Sequence, residues 1–318
     1  MRAVFLDFAT VDAGDLDPAA LQASAPELRL LAATRQDAVV DAIHDYEIVL
    51  VNKLKLDRAV ITASPKLKLI ALAATGTNNI DLEAAAEHGV AVCNIRDYCT
   101  PSVVQHVLGV LLALTHRLAD YSRDAIDGTW SKSSHFTVLA HPIRELRELT
   151  LGVVGYGVLG QAVAAACESA LGMKTLIANR MGASACADRV DLDELLQRAD
   201  VVTLHCPLTE QTRGMIDARR LALMKPGAVL INTARGALID IPALANALRE
   251  RQIAGAAIDV LPEEPPISGS PLFAHDLPNL LVTPHIAWAA RESRQRCLDE
   301  MAANIADWIK GGRRGRVV

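Results

Sequence analysis

TLGVVGYGVLGQAVAAA runs from Thr150 to Ala166. An apolar run reads as a strand. It ends in three glycines at GxGxxG spacing, Gly155, Gly157 and Gly160, and an Ala/Val-rich helix follows. Glycine clusters alone are a weak signal; between a strand and a helix they acquire a mechanism. Gly155 permits a tight turn, Gly157 lets backbone approach a pyrophosphate, and Gly160 lets helix and strand pack closely. The helix N-terminus then offers unpaired N–H groups and a partial positive charge to phosphates. A dinucleotide site is the expectation.

Outward from that loop the pattern repeats. Before it, RAVFLDF, EIVLVN, KLKLIALAA and GVAVCN read as strands, with RQDAVVDAIHDY and DLEAAAEHG as helices between them. Asp81 is placed to cap the second helix and Gly89 to end it. After it, KTLIANR, VVTLHC, AVLINTA, AGAAID and LLVTP continue the alternation. Strand–helix alternation of this kind predicts mostly parallel sheets covered on both faces. At TPSVVQ a long helix begins, with Thr100 as cap and Pro101 in its first turn; residues 121–149 show no clear period. RESRQRCLDEMAANIADWIKGG reads as a helix that returns to the first half. The expected fold is therefore α/β: two Rossmann-like or flavodoxin-like doubly wound domains with a cleft between them, 1–99 plus 288–318 and 100–287.

Composition narrows the partners. The chain has 318 residues, 51% hydrophobic and 22% charged, with a net charge of −5. That is enough apolar material for substantial cores. It gives no electrostatic case for nucleic acid or an anionic membrane. MRAVFLDFATVD lacks the features of a signal peptide, and Gln105, His106 and Thr115 interrupt the most apolar segment, so no membrane span is expected. The six cysteines form no CxxC pair, which fits reduced thiols, a cytoplasmic location and no metal site. The basic tail GGRRGRVV is expected to fray.

Three strand ends carry candidate chemistry. Arg235 follows AVLINTA, Glu263 and Glu264 lie in a proline-rich loop after AGAAID, and His285 follows LLVTP. In open parallel sheets the carboxyl ends of strands line the ligand crevice. An arginine there suits a substrate carboxylate. Together the three supply an anion clamp, a carboxylate and a titrating imidazole, the minimum set for reducing a 2-keto acid.

With GYGVLG, HCPLTEQT, LMKPGAVLINTARGALID, DVLPEEP and TPHIAWAA, and with LIALAATGTNNIDL and YCTPSVVQHVLGVLLAL in the first half, the chain resembles the D-isomer-specific 2-hydroxyacid dehydrogenases. The likeness is to the branch of glycerate dehydrogenase and hydroxypyruvate or glyoxylate reductase, and it spans nearly the whole chain. It implies that Arg235 binds the substrate carboxylate and carbonyl, that His285 donates the proton, and that Glu264, not Glu263, is its acidic partner. It implies substrate contacts from Asn52, Lys53, Thr75 and Gly76. It places Leu159, His205, Cys206, Pro207, Thr212, Thr233, Ala234 and Asp259, with the three glycines, at the cofactor.

The acid expected about 20 residues beyond the glycine loop is missing, since none occurs between Glu168 and Asp188. Asn179 stands there beside Arg180, which would pair with a 2′-phosphate. The expected cofactor is NAD(P)(H) with a lean to NADP. Trp288 replaces the small residue of many relatives. The resemblance implies a small 2-keto or 2-hydroxy acid as substrate, and a homodimer joined through the helix from Thr100. Other readings of the same features are a non-enzymatic dinucleotide sensor and a formate or phosphite dehydrogenase.

Overall fold

The computed structural model describes residues 1–182 and 186–318. The chain divides into two compact units, residues 1–99 with 288–318, and residues 100–287.

The first unit contains β1 (Arg2–Phe5), α1 (Ala19–Ser24), β2 (Glu27–Leu30), α2 (Val39–Ile43), β3 (Ile48–Val51), α3 (Arg58–Thr62), β4 (Leu69–Leu72), α4 (Leu82–Glu87) and β5 (Ala91–Cys93). The sheet is parallel, in the order β2-β1-β3-β4-β5. Successive side chains on a strand face opposite ways, and here both ways are apolar. Phe5, Ile48, Leu50, Leu69 and Ala71 pack with Leu21 of α1 on one face. Val4, Val49, Val51, Ile70 and Leu72 pack with Val60 and Ala84 on the other. That double burial explains why these strands read as unbroken apolar runs.

The sequence reading missed β2, α1 and α3. It also made the first helix too long, because only Val39–Ile43 is α-helical, behind a 3-10 turn at Gln36–Ala38. Asp81 caps α4 through Ala84 N, and Gly89 follows with φ +67°. The tail does not fray. Val317 N donates to Val92 O and Asn94 N to Gly315 O, so the last residues line the outer edge of β5. An unpaired strand edge offers free N–H and C=O groups, and that pairing outweighs the disorder expected of a basic end.

The second unit contains α5 (Thr100–Thr115), α6 (Leu118–Ile126), β6 (Thr150–Val154), α7 (Val158–Leu171), β7 (Lys174–Ile177), α8 (Leu192–Arg198), β8 (Val201–Leu204), α9 (Ala218–Leu221), β9 (Val229–Asn232), α10 (Ile241–Arg249), β10 (Gly255–Ile258) and β11 (Leu280–Val282). Its sheet is parallel, in the order β11-β10-β9-β8-β6-β7. Strand order reverses between β6 and β8, and the glycine loop follows β6. The site therefore falls where doubly wound sheets bind ligands. Val103, Val107, Leu111 and Leu114 give α5 one buried face. Residues 118–126, expected to be partly irregular, form α6. After the second unit comes α11 (Arg291–Ile309), which belongs to the first unit, where it packs against α1 and β4. Among the described residues no single helix is long and apolar enough to cross a membrane; α5 and α6 together pass a length and composition test but are bent by 58°.

Candidate active site

The glycine loop is built as its spacing predicts. Gly155 has φ +95°, and a Cβ there would lie 2.5 Å from Cys206 N. His205 N donates to Val154 O, so the ends of β6 and β8 meet at this glycine. A Cβ on Gly160 would lie 2.1 Å from Gly155 O. Above Gly157, by contrast, nothing stands within 4 Å of where a Cβ would be. Two glycines are required by packing; the third keeps open the approach to the N-terminus of α7, where unpaired N–H groups collect. At the end of β9, Thr233 Oγ1 is buried with no hydrogen-bond partner among the described residues. A cradle and an orphaned buried hydroxyl fit a dinucleotide, which Gly155, Gly157, Leu159 and Thr233 would hold.

The remaining predicted cofactor residues take mixed positions. His205 Nε2 meets Thr203 Oγ1 at 2.9 Å, and burial pushes the imidazole down to about 4. Burial pushes the Cys206 thiol up to about 11. Both are neutral near pH 7. Pro207 is exposed, and its carbonyl accepts from Thr212 Oγ1 at 2.8 Å, so buried Thr212 ties its own loop. Ala234 N donates to Asn232 Oδ1 at 3.0 Å.

Asn179 is committed to its loop. Its Nδ2 donates to Asp191 Oδ1 at 3.1 Å, and its Oδ1 accepts from Cys186 N at 3.2 Å. A carboxylate from outside the sequence window, 12 positions further on at the start of α8, thus meets Asn179. Arg180 is exposed.

Arg235, Glu264 and His285 come from β9, β10 and β11, which are neighbours. Asn232, Ile258 and Val282 share one register, so the three loops leave from one level. Asn232 is fully buried, and its Nδ2 donates to Arg235 O at 2.9 Å, which bends the chain where Arg235 stands. Gly236 is obligatory, because a Cβ would lie 2.0 Å from Leu261 C. The Arg235 guanidinium is half-buried and donates to Ala234 O at 2.7 Å.

His285 Nδ1 lies 2.7 Å from Glu264 Oε2, while Leu261 N donates to Glu264 Oε1 at 2.8 Å. Glu264 is thus the histidine's partner, and Glu263 is exposed beside it. A carboxylate accepts only, so Nδ1 carries a proton toward it. His285 has φ +56°, a left-handed conformation that costs a non-glycine residue roughly 1–2 kcal/mol. Its N–H donates to Asp259 O at 2.8 Å.

Asp259, expected at the cofactor, holds the histidine loop from β10. It is 3% exposed, and its carboxylate faces the histidine loop, accepting from Thr283 Oγ1, Ile286 N and Ala287 N at 2.5, 2.9 and 2.9 Å. Sequence reasoning also missed Asn232, Thr283 and His106, whose Nε2 lies 3.4 Å from Thr283 Oγ1. Thr283 and His106 meet only in space, and no local pattern carried that contact; Asn232 bonds within its own turn, at the end of what read as a strand.

In the first unit, Asn52 and Lys53 follow β3 at that sheet's own reversal, between β1 and β3. Buried Asp7, after β1, accepts from Asn52 N, Lys53 N and Leu54 N at 2.9, 2.7 and 3.3 Å. Asn52 turns inward, and its Nδ2 donates to Thr10 Oγ1 at 2.9 Å. Lys53 Nζ sits 5.9 Å from the centre of the Trp288 ring, which meets Tyr98 edge-on. Thr75 is exposed and Gly76 half-exposed in the loop after β4, where Thr75 O accepts from Asn94 Nδ2 at 2.7 Å. An open cavity of about 840 Å³ lined by Arg35, Asp37 and Asp57 shares no residue with these groups. Among the described residues no His, Cys, Asp and Glu cluster could hold a metal ion.

Comparison with known proteins adds to this geometry. Residues 108–287 match the family described as D-isomer specific 2-hydroxyacid dehydrogenase, NAD binding domain. The chain is 42% identical over 275 residues to a glycerate dehydrogenase of Methylorubrum extorquens, with 86% of each covered. It is 34% identical over 317 residues to a hydroxypyruvate reductase of Blautia hydrogenotrophica, with 98% of each covered. The crystal structure of the TT0316 protein from Thermus thermophilus superposes with a TM-score of 0.87 at 33% identity, over the whole of both chains.

Proposed function

The chain belongs to the D-isomer specific 2-hydroxyacid dehydrogenase family and is a nicotinamide-dependent oxidoreductase, and from that we propose that it reduces hydroxypyruvate or glyoxylate to D-glycerate or glycolate. The observation that carries the mechanism is the 2.7 Å contact between His285 Nδ1 and Glu264 Oε2. It fixes the ring and directs the exchangeable proton to Nε2. A bound reduced nicotinamide supplies the hydride. Arg235 pairs with the substrate carboxylate through its planar fork and stabilises negative charge developing on the carbonyl oxygen. His285 Nε2 delivers the proton to that oxygen, and the Glu264 carboxylate stabilises the imidazolium that must form first. In the oxidative direction neutral His285 takes the proton back.

The cofactor is NAD(P)(H). We assign Arg180 to the 2′-phosphate of NADP, because a guanidinium at the end of β7 attracts it. Asp191 opposes that preference. The enzyme is proposed to act in the cytoplasm as a homodimer. Support for the dimer comes from Ile126, Phe136 and Leu139, each more than 80% exposed, with Leu118, Trp130 and Ile143 about them in the chain. Such apolar surface marks a contact, and it lies after α5 more than on it.

Initial rates with hydroxypyruvate, glyoxylate and pyruvate, each crossed with NADH and NADPH, test the reading. Fast turnover of one small keto acid is expected. His285→Ala should lower kcat by about 10²–10⁴-fold while the cofactor still binds. A variant within threefold of the unmodified enzyme would remove His285 from the chemistry.

A further inference from the structure

We propose that Thr283 and His106 are positioning residues for His285, acting through the buried Asp259 carboxylate; the proposal rests on His285 being the proton donor. Asp259 grips the histidine loop at several points. Its Oδ1 accepts from Thr283 Oγ1 and Ile286 N, its Oδ2 from Ala287 N, and its backbone O from His285 N. The residue so held has φ +56°. A side chain other than glycine stays in that region only when its surroundings fix it.

A hydroxyl has one proton to give. At 2.5 Å Thr283 gives it to Asp259. The 3.4 Å contact between Thr283 Oγ1 and His106 Nε2 therefore runs the other way, with the imidazole donating into the threonine oxygen. That requires the proton of His106 to sit on Nε2, which is also 3.9 Å from Asp259 Oδ1. His106 belongs to α5, whose apolar face is locked into the second unit. The directed chain His106→Thr283→Asp259 ties a strained loop to a rigid helix. It does not touch substrate. Its effect is to keep the imidazole where Glu264 meets Nδ1 and where Nε2 faces the reacting oxygen. A displacement of about 1 Å at such a group costs on the order of a hundredfold in rate.

Thr283→Val keeps the shape and removes the hydroxyl. We expect kcat to fall between about ten- and a hundredfold, with the KM for keto acid and the dissociation constant for NADH or NADPH within about twofold. Thr283→Ser should recover most of the loss. His106→Gln, which keeps an N–H near the Nε2 position, should retain far more turnover than His106→Leu. Hydrogen exchange of the segment 283–290 supplies a readout independent of turnover. The amides of Ile286 and Ala287 should exchange at least about tenfold faster in Thr283→Val, because their acceptor is no longer held. Should the unmodified protein reduce keto acids while Thr283→Val stays within twofold in kcat, the positioning role is overturned. Were the unmodified protein inactive with every keto acid, the reductase reading would fail instead. Exchange would then decide alone: unchanged rates at 286 and 287 overturn the brace, and faster rates support it.

Discussion

Asp191 and Arg180 place opposite charges at the end of β7, and a 2′-phosphate would feel both. The sequence showed only the arginine, because the loop that returns Asp191 to within 3.1 Å of Asn179 has no local signature. The two side chains should therefore pull cofactor affinity in opposite directions. Asp191→Asn is expected to tighten NADPH several-fold with little change for NADH. Arg180→Ala should weaken NADPH by about tenfold, the scale of one exposed charge-assisted contact. Dissociation constants from nicotinamide fluorescence check both. If Asp191→Asn leaves the NADPH-to-NADH ratio unaltered, this carboxylate does not face the ribose.

Elements differ in how openly the sequence declares them. The β6–glycine–α7 unit was legible because each glycine answers a separate steric demand. Those demands can be separated by mutation. Gly160→Ala drives a methyl into Gly155 O and should destabilise the second unit by roughly 1–3 kcal/mol. Gly157→Ala meets open space; it should melt normally yet bind dinucleotide at least about tenfold more weakly, because a methyl then occupies the phosphate approach. Equal melting temperatures for the two variants would contradict this division. Arg235, Glu264 and His285 were legible for a similar reason, since strand ends in a parallel sheet share one side. The edge strand β2 was not. ELRL alternates charged and apolar residues over only four positions, and its burial alternates between exposed and intermediate. Helices α1 and α3, of six and five residues, are too short to show a period. Asp7, Thr283 and His106 were missed because their partners lie on other elements; Asn232, which bonds Ala234 N and Arg235 O just beyond it, was missed because it read as one more strand residue.

On the scale of the whole molecule, the apolar side chains of residues 118–143 set the expected association. Sedimentation of the pure protein should give twice the chain mass. Charged replacements at the nearly fully exposed Phe136 and Leu139 should shift it toward the monomer, because a charge buried at a contact is costly. A monomer at micromolar concentration before any replacement would refute the dimer.

Ser102 Oγ donates to Ala287 O at 2.7 Å. The second unit thus begins and ends at one point, although it interrupts the first between Cys99 and Trp288. For an unfolded chain, closing a loop across residues 100–287 costs about 4–5 kcal/mol in entropy. Once the inserted unit has folded, its ends are already together and most of that cost is gone. Residues 1–99 and 288–318 then meet as though joined by a tight turn. A folded inner unit therefore lowers the entropic cost of bringing the two parts of the outer one together.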